Sequence, residues 1–126
     1  MMILNWEFNG IAGIYAIECL KNRMIYVGKS INLYDRVRRH KYLLRINKNG
    51  STNINLQRDY NLYGHHNFMG YCLEIVNFPT PEVLTKVENK WIDKIGSYNI
   101  KAGNFTDEQR KKLSKSLKGN MERSLA

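Results

Sequence analysis

Two residues with reactive side chains occupy positions where a helical pattern calls for apolar ones. Glu88 shares a predicted helix face with Leu84 and Trp91, and His40 lies on an apolar face one turn after Arg36. A carboxylate on such a face must be paired, bind a metal or have a raised pKa. Arg36 and His40, four residues apart, lie on one side of a helix and can reach a single phosphate. The structural alternatives are a salt bridge for Glu88 and a hydrogen-bonded core position for His40.

Two tyrosines stand in short β-rich segments that should pair as a hairpin. Tyr15 follows Gly13-Ile14, and Tyr26 precedes Val27-Gly28. Their phenols either form a cross-strand aromatic pair in the core or face the same cleft as Arg36. Glycine in a strand allows close approach, so Gly13 and Gly28 are expected to admit a backbone segment or a ligand.

The elements that would position these residues alternate between strands and helices. The composition is that of an ordinary globular domain, and its 126 residues suffice for one. The fold class is therefore α+β, with a small central antiparallel three-stranded sheet flanked by helices and a basic C-terminal helix. The strands are predicted over residues 12–19, 24–28 and 70–78. The helices are predicted over residues 33–46, from Ser51 or Thr52 to Tyr63, from Pro81 to Ile95, and from Thr106 to before Gly119.

Helix starts can be assigned from capping residues. Thr80 followed by Pro81 and an acidic first turn predicts an N-cap at Thr80. Ser30 and Asn32 are both suitable caps for the first helix.

The charge distribution indicates a polyanionic partner. The chain carries a net charge of +9. Residues 20–50 hold nine cations and one acid, and residues 101–126 hold seven cations and three acids. Such a surface is either a solvated charged face or a phosphate-binding one, and its interleaved tyrosines favour phosphate binding. No apolar run approaches the ~20 residues of a membrane span, and two distant cysteines exclude a disulfide scaffold and a zinc finger.

The combination of these motifs resembles the GIY-YIG nuclease superfamily. Gly13-Ile14-Tyr15 and Tyr26-Val27-Gly28 correspond to its two signature triplets, with valine in place of isoleucine in the second. Arg36, His40, Glu88 and Asn99 follow in the family's order. The runs Leu56-Gln57-Arg58 and Glu88-Asn89-Lys90-Trp91-Ile92 resemble those of phage and intron homing endonucleases, and the similarity spans residues 12–100.

This resemblance implies a metal-dependent DNA endonuclease that hydrolyses phosphodiester bonds, of the homing type or its catalytic fragment. Glu88 would hold Mg²⁺ or Mn²⁺, and Arg36 would bind the phosphate. Tyr15 would orient or deprotonate the attacking water with His40 as proton acceptor, while Tyr26 would position the water or the phosphate. Asn99 would brace the site through a hydrogen bond to a tyrosine or to Glu88.

The resemblance also divides the chain into a catalytic domain over residues 1–100 and a DNA-binding tail over 101–126. The tail is similar to one copy of the nuclease-associated modular repeat. Expected partners are double-stranded DNA and no membrane, with a monomer in solution and a cytoplasmic location in a bacterial or phage-infected cell. The predicted DNA-binding cations are Lys29, Arg38, Arg39, Lys41, Arg110, Lys111, Lys112, Lys115 and Lys118.

Three other functions compete with this interpretation. One is a nuclease of the same fold that selects branched or damaged DNA during repair. The second is a non-catalytic DNA-binding module on a decayed scaffold. The third is a basic RNA-binding protein, which would not require a glutamate on an apolar helix face.

Overall fold

A computed structural model describes residues 1–47 and 53–99 of the chain. Its elements are strands β1 (Gly13–Cys19) and β2 (Ile25–Ser30), helices α1 (Leu33–Arg45) and α2 (Ile54–Tyr63), strand β3 (Phe68–Ile75) and helix α3 (Pro81–Ile95). Single 3-10 turns lie at Trp6–Phe8 and His65–Asn67. The predicted C-terminal helix lies outside the described residues. No helix among the described residues is long and apolar enough to cross a membrane.

The three strands form one antiparallel sheet in the order β2-β1-β3, which confirms the α+β prediction. Because β1 is central, it is buried along nearly its whole length. β2 and β3 are the two edges, and the N-terminal segment adds one parallel bridge, Met2 to Met69, beside β3.

The residues at which β2 and β3 end are determined by their pairing with β1 rather than by the local sequence. β3 occupies residues 68–75 instead of the predicted 70–78, because it pairs with β1 from Cys19 back to Gly13 and stops where β1 begins. β2 does not end at Gly28 as predicted, because its pairing with β1 continues to Ser30.

The sheet is covered on both faces. On one face, α1 and α2 contribute Val37, Leu44 and Leu56 to a core cluster with Tyr15 and Ile17. On the other face, Leu84 of α3 packs with neighbours from the strands, among them Ile14 and Val27. Alternating side chains of β1 therefore enter two different cores, and those of Tyr15 and Ile17 face the helix that carries Arg36 and His40.

Helix starts match the sequence at two of three positions. Asn32 caps α1 by accepting from the backbone N–H of Asp35, and Thr80 caps α3 by accepting from that of Val83. The predicted start of α2 at Ser51 or Thr52 is wrong. Asn53 is the cap, because its side-chain oxygen accepts from the N–H groups of Asn55 and Leu56 and its amide donates to the Tyr98 carbonyl, at 2.6 Å.

Candidate active site

A buried tyrosine–histidine pair forms the centre of the site. The Tyr15 hydroxyl of β1 lies 2.7 Å from Nε2 of His40 on α1, and both side chains are about 1% exposed. Nδ1 of His40 is also buried and has no hydrogen-bond partner within the described parts of the chain. This geometry supports the prediction that His40 acts together with a tyrosine.

Gly28 makes room for the Tyr15 phenol. The two residues are direct partners in the β1–β2 pairing, and a Cβ at position 28 would overlap the Tyr15 ring and hydroxyl. A Cβ at Gly13 would instead overlap the Glu74 carbonyl oxygen of β3. The close approach expected at both glycines is therefore present, and in both cases the neighbour is the protein itself.

Tyr26 lies on the same face of the hairpin, diagonal to Tyr15. Its partner across the sheet is Ile17, so the two phenols point to the same side. The Tyr26 ring centroid lies 6.4 Å from that of Tyr15 and 5.4 Å from that of His40. The two tyrosines thus form a cross-strand aromatic pair on the face of the sheet that packs against α1, the helix that carries Arg36.

Arg36 lies one turn before His40 on α1 and is half-buried. Its positive charge affects the pKa values of all three aromatic residues of the site. It lowers the pKa of His40 and opposes the rise in the pKa values of Tyr15 and Tyr26. Arg36 therefore supplies a cation directly beside the phenols, where a phosphate could be bound.

Burial keeps the tyrosine–histidine pair neutral. It raises the pKa of Tyr15 well above its usual range, with smaller contributions from Tyr26 and Glu88. It also lowers the pKa of His40 to about 4, helped by the charges of Arg36 and Arg39. At neutral pH the phenol keeps its proton and the imidazole is uncharged, so Nε2 of His40 can accept the phenolic proton.

Glu88 approaches the phenols from the other side of the β2 edge. Burial raises the pKa of this half-buried carboxyl group, and the nearby Lys29 ammonium opposes that rise. Its charge in turn raises the pKa values of Tyr15 and Tyr26. Its carboxylate makes no hydrogen bond or salt bridge with any described residue. The expected alternatives for Glu88 were a salt bridge, a bound metal and a raised pKa. Glu88 forms no salt bridge with any residue in the ranges 1–47 and 53–99.

A divalent cation at this position would have a single protein carboxylate. No group of three or more His, Cys, Asp or Glu side chains among the described residues could hold a metal. One free carboxylate nevertheless suits Mg²⁺, which keeps several waters and takes its remaining ligands from substrate phosphate. The donor set at Glu88 therefore fits a metal bound together with its substrate.

Asn99 does not bond to a tyrosine or to Glu88, so that prediction of its partners is wrong. Its side-chain oxygen accepts from the Val27 N–H at 2.8 Å, and its amide donates to the Val27 carbonyl at 2.7 Å. The reason is that β2 is an edge strand whose outward backbone groups need partners. Asn99 thus fixes the backbone between Tyr26 and Gly28.

The predicted DNA-binding cations that the structure describes are all exposed. Lys29 lies on β2 and donates to the Thr85 hydroxyl at 2.7 Å, which holds its ammonium beside Glu88. Arg38, Arg39 and Lys41 lie on the solvent side of α1. The remaining five predicted cations, Arg110, Lys111, Lys112, Lys115 and Lys118, lie outside the described residues.

A buried polar network near the site was not predicted. Asp59 of α2 is 3% exposed and accepts hydrogen bonds from the Asn22 amide, at 2.9 Å, and the Tyr98 hydroxyl, at 2.7 Å. It holds the segment that carries Asn99 against the turn between β1 and β2. The available signal was an aspartate on the same helix face as Leu56 and Tyr60.

Comparison with known proteins identifies relatives of this arrangement. The GIY-YIG catalytic domain model matches residues 11–101. Intron-associated endonuclease 1 of Enterobacteria phage T4 is 31% identical over 123 residues, covering 87% of this chain and 49% of that protein. The chain thus spans about half the length of this curated relative.

Solved structures of the same fold are also similar. The catalytic domain of homing endonuclease I-TevI superposes with a TM-score of 0.60 at 30% identity, covering 67% of this chain and 87% of that one. A mutant of the I-TevI catalytic domain gives a TM-score of 0.59 at 28% identity, covering 68% and 84%. With the family match over most of its length, the chain belongs to the GIY-YIG family.

Proposed function

We propose that this protein is a DNA endonuclease of the homing type that hydrolyses phosphodiester bonds. Membership of the GIY-YIG family and similarity to intron and homing endonucleases support this function. The observation that carries it is the buried Tyr15–His40 hydrogen bond, with Arg36 on one side and, on the other, a Glu88 carboxylate that has no partner among the described residues. The side chains that we propose as proton acceptor, phosphate-binding cation and metal ligand lie close together there.

Arg36 is proposed to bind the scissile phosphate. Its planar guanidinium can donate two parallel hydrogen bonds to phosphate oxygens and neutralise the charge that develops on them. Tyr26 would position the phosphate or the attacking water from the adjacent strand.

Tyr15 and His40 are proposed to take the proton from the attacking water. The water would donate to the Tyr15 oxygen while the Tyr15 proton moves to Nε2 of His40, which leaves an imidazolium. In the free protein the charge of Arg36 disfavours that imidazolium. A phosphate bound by Arg36 would offset this charge and make His40 a better proton acceptor. Because the nucleophile is water, no covalent enzyme intermediate forms.

GIY-YIG nucleases are generally dependent on divalent metal ions. We propose Mg²⁺, or Mn²⁺ in its place, with Glu88 as its protein ligand. The ion would supply positive charge to the phosphate oxygens and the leaving group.

The proposed substrate is double-stranded DNA, cleaved by a monomer in a bacterial or phage-infected cytoplasm. Arg38, Arg39 and Lys41 would contact phosphates and contribute affinity rather than sequence recognition. Residues 1–100 would form the catalytic domain. Residues 101–126 would form a further DNA-binding segment resembling a nuclease-associated modular repeat.

The test is cleavage of supercoiled plasmid in Mg²⁺ at low salt by the wild type and Glu88→Gln. Glu88→Gln keeps the side-chain shape but removes the charge, and we expect at least a hundredfold loss of cleavage, as for other catalytic groups. Asp93→Asn is the matched control, because Asp93 is an exposed acid on the same helix. It should cleave like the wild type, and EDTA should abolish both activities.

Other outcomes would change the assignment. Gel retardation with an intact plasmid would favour a non-catalytic DNA-binding module. Cleavage confined to branched substrates would favour a repair nuclease of the same fold. Full activity of Glu88→Gln would refute the role given to this carboxylate.

A further inference from the structure

We propose that Trp6, Tyr34 and Arg38 form a second DNA-contacting surface on the flank of α1 away from Arg36. This aromatic–arginine surface would hold the duplex beside the phosphate being cleaved. The inference rests on DNA as the proposed substrate. Trp6 precedes the family match, which begins at residue 11, whereas Tyr34 and Arg38 lie within it on α1.

The three side chains contact one another in the order Trp6, Tyr34, Arg38. The Trp6 and Tyr34 rings meet edge to face, with centroids 5.1 Å apart and planes at 80°. The Arg38 guanidinium carbon lies 5.9 Å from the Tyr34 ring centroid. Arg38 is exposed, and Trp6 is 66% exposed although an indole is among the largest apolar side chains. A large exposed aromatic beside an arginine is typical of surfaces that contact a partner.

The exposure of Trp6 is built into the fold. On its N-terminal side, Met2 bonds to β3 through Gly70, at 2.7 Å, and Leu4 is buried in the core. On its C-terminal side, the Ile11 carbonyl accepts from the N–H of Leu33 at the start of α1, at 2.8 Å. The turn that carries Trp6 is therefore fixed at both ends, and the ring is held outward against Tyr34.

The surface lies within reach of a duplex bound at the active site. At 100° per residue, Tyr34 and Arg38 lie on the opposite flank of α1 from Arg36, with Arg39 on the solvent side between them. A helix with its side chains is roughly 10 Å across, which is similar to the width of a DNA major groove. A duplex lying along the exposed side of α1 can therefore contact both flanks.

Charge complementarity identifies the occupant as DNA. α1 carries five cations and a single acid, Asp35. Glu7 is the acid beside Trp6, so the local charge stays positive because of Arg38 and the other α1 cations. Arg38 would bind a backbone phosphate, while the Trp6 and Tyr34 rings would pack on sugars or bases, as aromatic rings do in other nucleic-acid complexes.

Fluorescence tests this contact without requiring cleavage. The chain has two tryptophans, so Trp91→Phe leaves Trp6 as the sole indole. We would titrate the full-length variant with a random-sequence duplex in EDTA. The expected result is a solvent-exposed emission spectrum for the free protein and saturable quenching on binding. An already shielded spectrum would overturn the proposal, because another part of the chain or a second copy would then cover the ring. Saturation of binding without any change at Trp6 would also overturn it.

Affinity provides the second measurement. Trp6→Ala should weaken binding of a labelled duplex by about tenfold, within the range for loss of one aromatic–base contact. Phe78→Ala is the matched control, because Phe78 is 83% exposed and lies in the segment between β3 and α3. Equal affinity of the two variants would refute the surface. Quenching of Trp6 by DNA without plasmid cleavage would retain this inference while refuting the proposed nuclease.

Discussion

At the scale of single residues, the site depends on burying two groups whose unperturbed pKa values lie near or above neutrality. Tyr15 and His40 hydrogen-bond to each other at 2.7 Å with almost no exposure to water. The absence of a side chain at Gly28 allows the Tyr15 phenol to pack closely against β2. Because burial disfavours both charged forms, the pair is neutral in the free protein.

The low pKa of His40 predicts how stability depends on pH. Its pKa is about 4 in the folded protein, against 6.5 for the unperturbed group. Between these values the unfolded chain binds more protons than the folded one, so stability falls as the pH falls from 6.5 towards 4. The loss attributable to His40 should be on the order of 3 kcal/mol. Urea unfolding over this pH range would measure it.

His40→Phe is the control for that pH dependence, because it removes the titrating group and keeps an aromatic side chain. The difference between the two pH profiles isolates the contribution of His40 from that of the carboxyl groups. Parallel profiles for the wild type and His40→Phe would show that His40 is protonated as readily in the fold as in water.

At the scale of elements, the site depends on how the edge strand β2 is held. The segment after α3 supplies partners to the outward backbone groups of β2. Ser97 bonds to Ile25 through its N–H and hydroxyl, and Asn99 bonds to Val27 through both ends of its amide. Asp59 holds this segment in place by accepting a hydrogen bond from the Tyr98 hydroxyl. The positions of Tyr26 and Gly28 therefore depend on a contact 72 residues away along the chain.

Asn99→Ala should release the middle of β2. The variant loses two hydrogen bonds and leaves a buried N–H unsatisfied, which should cost about 1–3 kcal/mol. Hydrogen exchange of the Val27 amide should become faster, and cleavage should fall by more than the loss of folded protein explains.

The control is Asn61→Ala, because the Asn61 amide donates to another exposed asparagine, Asn47, at 3.0 Å. It should leave exchange at Val27 unchanged. Undiminished protection of the Val27 amide in Asn99→Ala would contradict the bracing role.

At the scale of the whole molecule, the positive charge is divided between the candidate active site and the exposed surface around it. The chain carries a net charge of +9. Most of the cations that belong to α1 are exposed on the side of the helix away from the sheet. The same helix directs Arg36 and His40 inward and Arg38, Arg39 and Lys41 outward. In the proposed function, this one helix would bind the reacting phosphate through Arg36 and neighbouring phosphates through its exposed cations.

Binding of duplex DNA should weaken steeply with salt, since phosphate contacts release counterions. Arg39→Gln should reduce the slope of log K against log salt by about one, as expected for loss of a single phosphate contact. Fluorescence anisotropy at several salt concentrations would measure the slope. Lys21→Gln is the control, because Lys21 is an exposed cation in the turn between β1 and β2. Equal slopes for the two variants would contradict a DNA-contacting role for α1.

The sequence by itself determined the types and order of the described strands and helices and the family to which the chain belongs. Periodicity identified α1 and α3, and the capping pattern located Thr80, because these signals arise within a few residues of the chain. The two signature triplets and the later polar positions led to the GIY-YIG family, which the family match confirms.

Only the tertiary structure decided the strand ends, the partners of Asn99 and the setting of Tyr15. β2 and β3 both end opposite Gly13, where β1 begins, and an edge strand takes its hydrogen bonds from whichever segment packs beside it. The low pKa of His40 likewise results from burial beneath a distant strand. These properties depend on contacts between residues far apart in the chain, which no local pattern encodes.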